Sequence, residues 1–433
     1  MISLPDPCAG WSSRLLPGGL PLLIRRRPAA GLLAARLWIR GGSSRDPSGQ
    51  RGAMQLLAGS MTRGAGGLDA EALADLVEGR GAALRAEAGE DALVISLKCA
   101  SDDAAELLPL VLAMAAEPCL QEAQVELERQ LNLQQLLRQR EDPFQLAHDG
   151  LRQLLYGDGP YGHDPLGVEE DLAPLQASDL RPLVTSLAAA GALLVLCGNL
   201  SGGLSEQLEA LLRQQPWPTA APAQQAWSGP PAPAGGLALQ EQDTEQLVLM
   251  LGAATVPLGH DDSLPLRLLQ SHLGLGMSSR LFQVMREQRG LAYDVGVHMP
   301  ARCAATPFVL HLSTSAARAG EACGALLEEW QRLAAVALDD GDLDLARAKF
   351  LGQDAMGRQT CGQLADRQAL VLGHGLAPGH VQDCLERAER LSAGDLQEAA
   401  RRWLERPVLS LCGPRPALEA AQRAWTAAAV VAS

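Results

Sequence analysis

The sequence predicts an α+β protein made of two homologous domains, and three observations support this fold class. Stretches with helical and strand-like apolar patterns alternate along all 433 residues, a length that exceeds one ordinary domain. The composition changes to proline, alanine and glutamine between residues 214 and 236, as in an extended linker. Sequence landmarks also recur at about half the chain length. We therefore predict an N-terminal domain at 1–213, a linker at 214–236 and a C-terminal domain at 237–433.

The repeat consists of two landmarks with nearly the same offset. The pattern L-x-A-x-D-L at 175–180 recurs at 391–396, an offset of 391 − 175 = 216. The apolar run LVLCG at 194–198 recurs as LSLCG at 409–413, an offset of 409 − 194 = 215. Repeats of this length are too long for a solenoid and indicate a duplicated domain.

The N-terminal half has the local signals of a mixed fold. Apolar runs bounded by glycine and proline turns predict strands, and 3.6-residue periodicity with capping residues predicts helices. A Gly/Ser/Asp/Pro loop at 41–50 precedes a buried helix that opens at 51–61. In order, we expect strands at 20–24 and 31–39, that helix, a helix capped by Asp69 and ending at Gly79, a hairpin at 82–86 and 91–99, helices at 102–116, 121–140 and 144–156, a helix near 177–180, and a strand at 192–198.

After the linker the pattern begins again. We expect a strand at 246–251, a helix from Leu264, strands near 291–298 and 307–313, and helices at 317–335, 341–357, 361–374 and 380–390. The two halves therefore share an order of elements as well as the two landmarks.

Charge and cysteine content exclude several classes of protein. The net charge of −14 argues against a general affinity for nucleic acid, and the arginine run at 25–27 is interpreted as a solvated strand end. Nine scattered cysteines without a C-x-x-C pair predict neither a zinc ribbon nor a disulfide framework, so we expect a reducing compartment. No signal-like segment or stretch of about 18 apolar residues occurs, and we expect a cytoplasmic protein.

Three features resemble the pitrilysin/insulinase family. They are the duplicated halves, the G-x-x-x-L-L helix at 52–57, and a C-terminal segment with GMSSRLF at 276–282 and RGLAY at 289–293. The loop LYGDGPYG at 155–162 also resembles one common in this family. The resemblance covers nearly the whole chain and is closest to bacterial members related to mitochondrial processing peptidase. It implies two domains, each a mostly antiparallel sheet covered by helices, arranged as a clamshell around a peptide chamber.

Active members of that family carry an inverted zinc motif, His-x-x-Glu-His, followed by a glutamate on a later helix. Two imidazoles and a carboxylate hold Zn²⁺ with an open position for water, and the first glutamate is the general base. In this sequence those positions hold Gln55, Ala58 and Gly59, and the later ligand falls at Gln135, with 135 − 59 = 76. All four groups are missing, so we expect no zinc and no other cofactor in this chain.

The eight histidines predict no alternative metal site, because no two have the i, i+4 spacing of a helical ligand pair. His298 and His311 lie on predicted adjacent strands and could face each other. A pair within the core or at the surface is a better interpretation of them than a metal site. The sequence also has no G-x-S-x-G elbow and no Walker phosphate loop.

The resemblance implies a second kind of site in the C-terminal half. There the family supplies an arginine and a tyrosine, seven residues apart, that bind substrate backbone and support the reacting carbonyl. Arg286 and Tyr293 fit this spacing, with Arg286 expected at a helix end and Tyr293 on a strand. A guanidinium suits a peptide carbonyl, and a phenol can donate to an oxyanion. The alternative is an exposed arginine and a core tyrosine on the face of Leu291 and Val295.

An Arg/Tyr pair without zinc ligands predicts half of an active site. The sequence therefore favours a non-catalytic subunit of a heterodimeric zinc metallopeptidase, which completes the site of a homologous, zinc-bearing partner that hydrolyses peptides. Zinc is then expected in the partner only. The alternative is a scaffold or peptide-binding protein of the same fold without a proteolytic role. An active peptidase with relocated ligands is disfavoured, because no other His/Glu cluster occurs. The substrate, and whether the assembly is a heterodimer or a homodimer, stay open.

Overall fold

The fold was analysed in a computed structural model, which describes residues 10–189, 191–200, 202–214, 217, 229 and 236–432. The chain forms two compact units. Unit 1 contains Met1–Leu136, Asp164–Gln225 and Ala355–Gln382, and unit 2 contains Leu137–His163, Ala226–Asp354 and Asp383–Ser433. Each unit therefore includes one segment from the other half of the sequence. The predicted linker at 214–236 lies almost entirely outside the described residues, and its role as a domain boundary stays a prediction.

The first half of the sequence contains eight strands and eight helices in its described part. The strands are β1 Trp11–Leu15, β2 Pro21–Arg26, β3 Leu32–Arg40, β4 Gly64–Ala65, β5 Leu68–Asp69, β6 Ala83–Ala88, β7 Ala92–Ala100 and β8 Ala192–Gly198. The helices are α1 Ala53–Met61, α2 Ala70–Glu78, α3 Ala104–Ala116, α4 Glu122–Gln139, α5 Pro143–Tyr156, α6 Glu169–Leu172, α7 Ala177–Ala189 and α8 Leu204–Gln214.

The second half repeats this order with fewer elements. Its described strands are β9 Leu237–Glu241, β10 Gln246–Ala254, β11 Asp294–His298, β12 Pro307–Ser315 and β13 Val408–Gly413. Its described helices are α9 Ser263–Gly274, α10 Ala319–Ala335, α11 Asp340–Met356, α12 Cys361–Gly373, α13 His380–Ala388, α14 Ala393–Trp403 and α15 Arg415–Ala432, with a π-helical segment at Phe282–Gln288.

The two main sheets have the same connectivity, which confirms the predicted α+β class and explains the sequence repeat. In unit 1 the strand order is β1-β2-β8-β3-β7-β6, and β2 and β8 form its parallel pair. In unit 2 the order is β11-β12-β10-β13-β9, and β13 and β9 form its parallel pair. Read from opposite ends, β2, β8, β3, β7 and β6 correspond to β9, β13, β10, β12 and β11. The other main-sheet pairings are antiparallel.

One pair of arginines shows that the repeat extends to side-chain contacts. Arg129 of α4 donates to the carbonyl oxygens of Ala173 and Leu175, at 2.6 and 3.0 Å. Arg347 of α11 donates to those of Ala388 and Leu391, at 3.2 and 2.6 Å. In both units an arginine on the long helix therefore ties down the chain just before the L-x-A-x-D-L landmark or at its start.

Helices α5 and α12 are exchanged between the halves of the sequence. Helix α5 packs on β9, β10 and β13 of unit 2, and α12 packs on β3 and β8 of unit 1. The apolar side chains of α5 form a buried cluster with Val248 and Val309, whereas those of α12 cluster with Leu23, Ala34 and Val195. Each sheet is thus covered on one face by a helix that the other half supplies.

An ion pair between a buried arginine and a half-exposed aspartate fixes α12 to the sheet of unit 1. Arg36 is only 3% exposed, although its neighbours on β3 from Leu32 to Ile39 are apolar, and its guanidinium forms a bidentate pair with Asp366 of α12, with Nη2 to Oδ2 at 3.2 Å. Its Nη1 also donates to the carbonyl oxygen of Ala35 at 2.8 Å. At the far end of α12, a Cβ at Gly373 would lie 2.2 Å from Nε1 of Trp38. The helix therefore approaches the sheet too closely for any side chain there.

Three histidines lie between α5 and the hairpin β11–β12. The register pairs Gly296 with His311 and His298 with Val309, so both histidines are on one face of the hairpin, as the sequence predicts. The ring of His148 on α5 lies 5.7 Å from that of His298, edge to face. Burial, followed by the charge of Arg152, lowers the pKa of His148 to about 3. The imidazole is therefore neutral in the folded protein at neutral pH.

Several elements were not expected from the sequence, among them the two-residue strands β4 and β5, the four-residue helix α6 and helix α14. Strand β1 (WSSRL) and edge strand β9 (LALQE) have short or polar sequences, and β9 is mostly exposed. Helices α8 and α15 flank the linker and the end of the chain, and neither was predicted. Predicted helices, and the strands of the sheet centres, agree with the structure within a few residues at their ends.

Because Asp366 of α12 pairs with the buried Arg36, removing its charge should lower the stability of the fold. Asp366→Asn leaves the buried guanidinium of Arg36 without its counter-ion, and we expect the free energy of unfolding to fall by about 2 kcal/mol. The matched control is Asp344→Asn, which breaks an i, i+3 pair with Arg347 at an exposed site and should cost less than about 0.5 kcal/mol. Urea denaturation of both variants tests this. Equal losses in the two variants would contradict it.

The packing of α5 predicts loss of stability in acid. Because the pKa of His148 is lowered from 6.5 to about 3 in the folded protein, the unfolded chain binds a proton that the folded chain does not between these values. Stability should therefore fall as pH drops from about 6.5, by up to about 1.4 kcal/mol per pH unit for this group. His148→Gln should reduce the slope of unfolding free energy against pH between about pH 6 and pH 4. An unchanged slope would contradict the prediction. Neighbouring charges from Arg152, Arg302, His298 and His311 act in the same direction.

Candidate functional site

Helix α1 begins at a tight turn that its neighbours prescribe. Gly52, the N-cap, has φ = 103°, and a Cβ there would lie 2.7 Å from the carbonyl oxygen of Leu166. The carboxylate of Asp46 accepts from the backbone N–H of Gly52 at 2.7 Å and of Met54 at 2.8 Å. These bonds satisfy donors that every helix start leaves open. The helix then runs through the core of unit 1, where Met54, Leu57 and Met61 are buried as their spacing predicts.

At two of the four positions where the motif would place its functional groups, the side chain contributes to the fold and offers no free metal ligand. Oε1 of Gln55 accepts the backbone N–H of Ala88, at 3.0 Å, at the end of strand β6. This oxygen thus holds the edge strand of the unit 1 sheet to α1. Ala58 is fully buried and has no polar atom in its side chain.

The third vacated position, Gly59, is covered by a side chain of α4. A Cβ on Gly59 would lie 2.8 Å from Oε2 of Glu128. The same carboxylate pairs with Arg63, one turn after Gly59, with Nε to Oε1 at 2.8 Å. The side chain of Glu128 is 12% exposed and that of Arg63 is 32% exposed. A carboxylate and a guanidinium of the chain itself therefore occupy the space beside Gly59.

The fourth position, Gln135, is exposed on α4, seven residues beyond Glu128. The residues at the four positions do not fit a zinc ion. None is a histidine, cysteine or carboxylate, and the side-chain oxygen of Gln55 already accepts a hydrogen bond from the backbone N–H of Ala88. The nearby carboxylate, Glu128, is already paired with a cation.

Arg286 and Tyr293 lie together in unit 2. The guanidinium carbon of Arg286 is 4.6 Å from the ring centre of Tyr293 and 4.8 Å from that of Phe282, so the side chain lies against two aromatic rings. Its Nη1 also donates to the carbonyl oxygen of Tyr293 at 3.3 Å. Tyr293 is 83% exposed, which contradicts the alternative of a core tyrosine. The phenol and the guanidinium are therefore both accessible.

The local backbone differs from the prediction in one respect. Tyr293 was expected on a strand, but it directly precedes β11, which begins at Asp294. Arg286 lies within the π-helical segment, and the backbone N–H of Leu291 bonds to the carbonyl oxygen of Met285 at 2.7 Å. The backbone therefore turns back after the π-helical segment before β11 begins. This turn brings the two side chains, seven residues apart in sequence, into contact.

Helix α10 holds this segment through two ion pairs that sequence reasoning missed. Arg280 forms a bidentate pair with Glu329, with both N–O distances at 2.8 Å, and Glu329 is only 5% exposed. Arg289 pairs with Glu328 at 2.8 Å. The available signal was Glu329, which lies on the apolar face of a predicted helix in the sequence LLEEW at 326–330.

A third contact fixes the turn between the π-helical segment and β11. Nη1 of Arg318, just before α10, donates to the carbonyl oxygens of Arg289 and Gly290, at 3.1 and 2.9 Å. Its other guanidinium nitrogens pair with Glu321. Both ends of the segment that carries Arg286 are therefore anchored to α10, whose inner face is buried.

None of the helices within the described ranges is both long enough and apolar enough to cross a lipid bilayer.

Comparison with known proteins agrees with the fold and the motifs. The family model described as peptidase M16 inactive domain matches residues 187–350. A protein of Streptomyces coelicolor, named an uncharacterized zinc protease, is 25% identical over 414 residues, which cover 92% of this chain and 88% of that protein.

Two crystal structures share the fold. The peptidase M16 inactive domain from Pseudomonas fluorescens has a TM-score of 0.83 and 22% identity, covering 94% of this chain and 98% of that one. A protease from Helicobacter pylori has a TM-score of 0.82 and 17% identity, covering 95% of this chain and 100% of that one. The predicted resemblance to the pitrilysin/insulinase family is thereby confirmed: residues 187–350 match a peptidase M16 inactive domain, and the chain is similar over most of its length to proteins named zinc proteases.

Proposed function

We propose that this chain is the non-catalytic subunit of a heterodimeric zinc metallopeptidase. It would supply Arg286 and Tyr293 to the active site of a homologous partner that carries the zinc motif, and zinc would be bound by the partner only. The observation that supports this most is the geometry of the pair in unit 2. An exposed tyrosine lies against an arginine, and ion pairs to α10 hold the segment that carries them.

The chemistry of the pair suits support of a peptide substrate. The guanidinium of Arg286 can donate to backbone carbonyl oxygens of a peptide in an extended conformation. The phenol of Tyr293 can donate a hydrogen bond to the oxyanion that develops when water attacks the scissile carbonyl. The chain itself offers no general base at Ala58, so in isolation it would bind and orient but not hydrolyse.

A cytoplasmic location of the complex is part of this proposal. Eight cysteines in the described part of the chain are free thiols. Buried thiols such as Cys197 and Cys323 have raised pKa values of about 12, because burial disfavours the thiolate. Free and unreactive thiols are what a reducing compartment favours.

A scaffold or peptide-binding role with no proteolytic partner is the second candidate. The observation that favours it is that Gln55 and Glu128 make structural contacts within unit 1, Gln55 with the backbone of Ala88 and Glu128 with Arg63. In that case the exposed pair in unit 2 would bind a peptide without helping to cleave it.

The test uses the complex of this chain with a zinc-bearing homologue, purified together. Tyr293→Phe removes only the hydroxyl, and we expect kcat for peptide cleavage to fall by about a hundredfold, while the complex still forms on size-exclusion chromatography. Arg286→Met should lower kcat/KM with the complex intact. Arg332→Met, which removes an exposed arginine of α10, is the matched control and should leave cleavage unchanged.

Two outcomes decide between the candidates. If both variants cleave as fast as the unmodified complex, the half-site is wrong and the scaffold role is favoured. If the isolated chain cleaves peptides and EDTA stops it, the non-catalytic assignment itself is wrong. We expect no such cleavage and no stoichiometric zinc in the isolated chain.

A further inference from the structure

Two buried cysteines meet where α12 begins. Cys197 lies on β8 and is 0% exposed, and Cys361 is the first residue of α12 and is 6% exposed. Both belong to one buried cluster between α12 and the sheet of unit 1. We infer that Cys197 and Cys361 are a redox-active pair, which a peroxide converts to a disulfide that fastens α12 to the sheet. This inference concerns unit 1 alone and does not depend on the Arg286/Tyr293 proposal.

The first turn of α12 lies over the row of the sheet that carries Cys197. Cys197 on β8 and Lys98 on β7 are both opposite Ala34 of β3. Residues directly opposite each other on neighbouring strands point to the same face, so these three side chains form one row across the sheet. A Cβ on Gly362 would lie 2.9 Å from Cε of Lys98. The residue that follows Cys361 therefore contacts the same row, on the face that α12 covers.

The two thiols also contact each other directly. Burial, the charge of Cys361 and a hydrogen bond to its thiol raise the pKa of Cys197 to about 12. The nearby charges of Arg25 and Arg27 act in the opposite direction but do not offset burial. Cys197 is therefore a neutral thiol at neutral pH and is unreactive toward oxidants in solution. It reacts through proximity instead, with the sulfur that already lies beside it.

The equivalent position of unit 2 provides a contrast. Cys412 on β13 takes the place of Cys197 in the repeated LSLCG motif, and it is also 0% exposed. Helix α5, which covers it, has no cysteine in its sequence from Pro143 to Tyr156. Burial, followed by the charge of Asp142, raises the pKa of Cys412 to about 11. The two sites differ in the second thiol that the covering helix supplies, so Cys412 is the matched control for Cys197.

The oxidation transfers two electrons to one peroxide. The sulfur of Cys361, the more exposed of the two, attacks a peroxide oxygen as the thiolate and becomes a sulfenic acid, while the O–O bond breaks and the released hydroxide takes up the thiol proton as water. The sulfur of Cys197 then attacks that of Cys361, the S–S bond forms, and the hydroxyl group leaves with the second thiol proton as water. Two thiols and one hydrogen peroxide thus give one disulfide and two molecules of water. The first step also removes the charge of Cys361, which is one of the causes that hold Cys197 in its thiol form.

The bond joins two distant parts of the chain. Cys197 and Cys361 are 361 − 197 = 164 positions apart in sequence. Closing a loop of this length removes conformational freedom from the unfolded chain, so the disulfide stabilises the folded state. Because α12 is the helix that the second half of the sequence supplies to unit 1, the disulfide fastens the exchanged helix covalently. A small thiol reverses the bond by exchange, as for other redox-sensing disulfides.

The test uses the full chain, treated with hydrogen peroxide and then with an alkylating reagent that blocks the remaining thiols. We expect mass spectrometry of the digested protein to find a pair of peptides linked through Cys197 and Cys361. The thermal unfolding midpoint should rise by about 5 °C, because loop closure destabilises the unfolded chain, and dithiothreitol should reverse the rise. Cys197→Ala and Cys361→Ala should each lose both the linked peptides and the rise, whereas Cys412→Ala should keep both.

The linked peptides in the unmodified chain do not depend on how the variants fold. The inference is overturned if the oxidised, folded chain contains no such peptides, or if they form only when oxidation is carried out in urea, where distant thiols can meet. A rise of the midpoint that persists in Cys361→Ala would also overturn it, because oxidation at another site would then cause the rise. A linked chain whose midpoint does not rise would show that the bond does not fasten α12.

Discussion

The central strands of both sheets are covered on two faces, and one of the two covers always comes from the other half of the sequence. Strands β8 and β13 are buried along their whole length, which is possible only because α12 and α5 close the second face. This constraint explains several otherwise isolated features. Arg36 is tolerated in an apolar strand because Asp366 arrives with α12, and Gly373 is required because Trp38 lies against it. Each of the two duplicated units therefore contains a helix that the other half of the sequence supplies.

Much of the fold follows from the sequence because its signals are local. Continuous apolar runs predict β8 and β13, and the repeat of LVLCG as LSLCG correctly indicates that they are equivalent strands. The predicted helices were found because periodicity and capping residues such as Asp69 are properties of a few neighbouring residues. Strand β9 escaped because an exposed edge strand needs no apolar alternation. The exchange of α5 and α12 could not be predicted, since an apolar stripe on a helix does not say which sheet it will cover.

The candidate site divides in the same way. The motif spacing identifies Gln55, Ala58, Gly59 and Gln135, but it says nothing about what fills their space. Only the folded chain shows Glu128 over Gly59 and Arg63 beside it, because these contacts join residues 65 positions apart. For Arg286 and Tyr293, spacing alone pointed to the pair. The support from Glu329, Glu328 and Arg318 comes from a helix that is distant in sequence. Their contacts with the segment that carries Arg286 are visible only in the folded structure, where α10 packs beside that segment.

The exchanged helices also impose an order on biosynthesis. The last sheet strand of unit 1, β8, ends at Gly198, whereas its covering helix begins at Cys361, which is 361 − 198 = 163 residues later. At about 5–20 residues per second, a ribosome needs roughly 10–30 s to make that stretch. Throughout this interval one face of the first sheet has no α12 to cover it, while α5 has been made but its own sheet has not. A nascent chain of this architecture is therefore a natural client for chaperones that shield apolar sheet surfaces until translation is nearly finished.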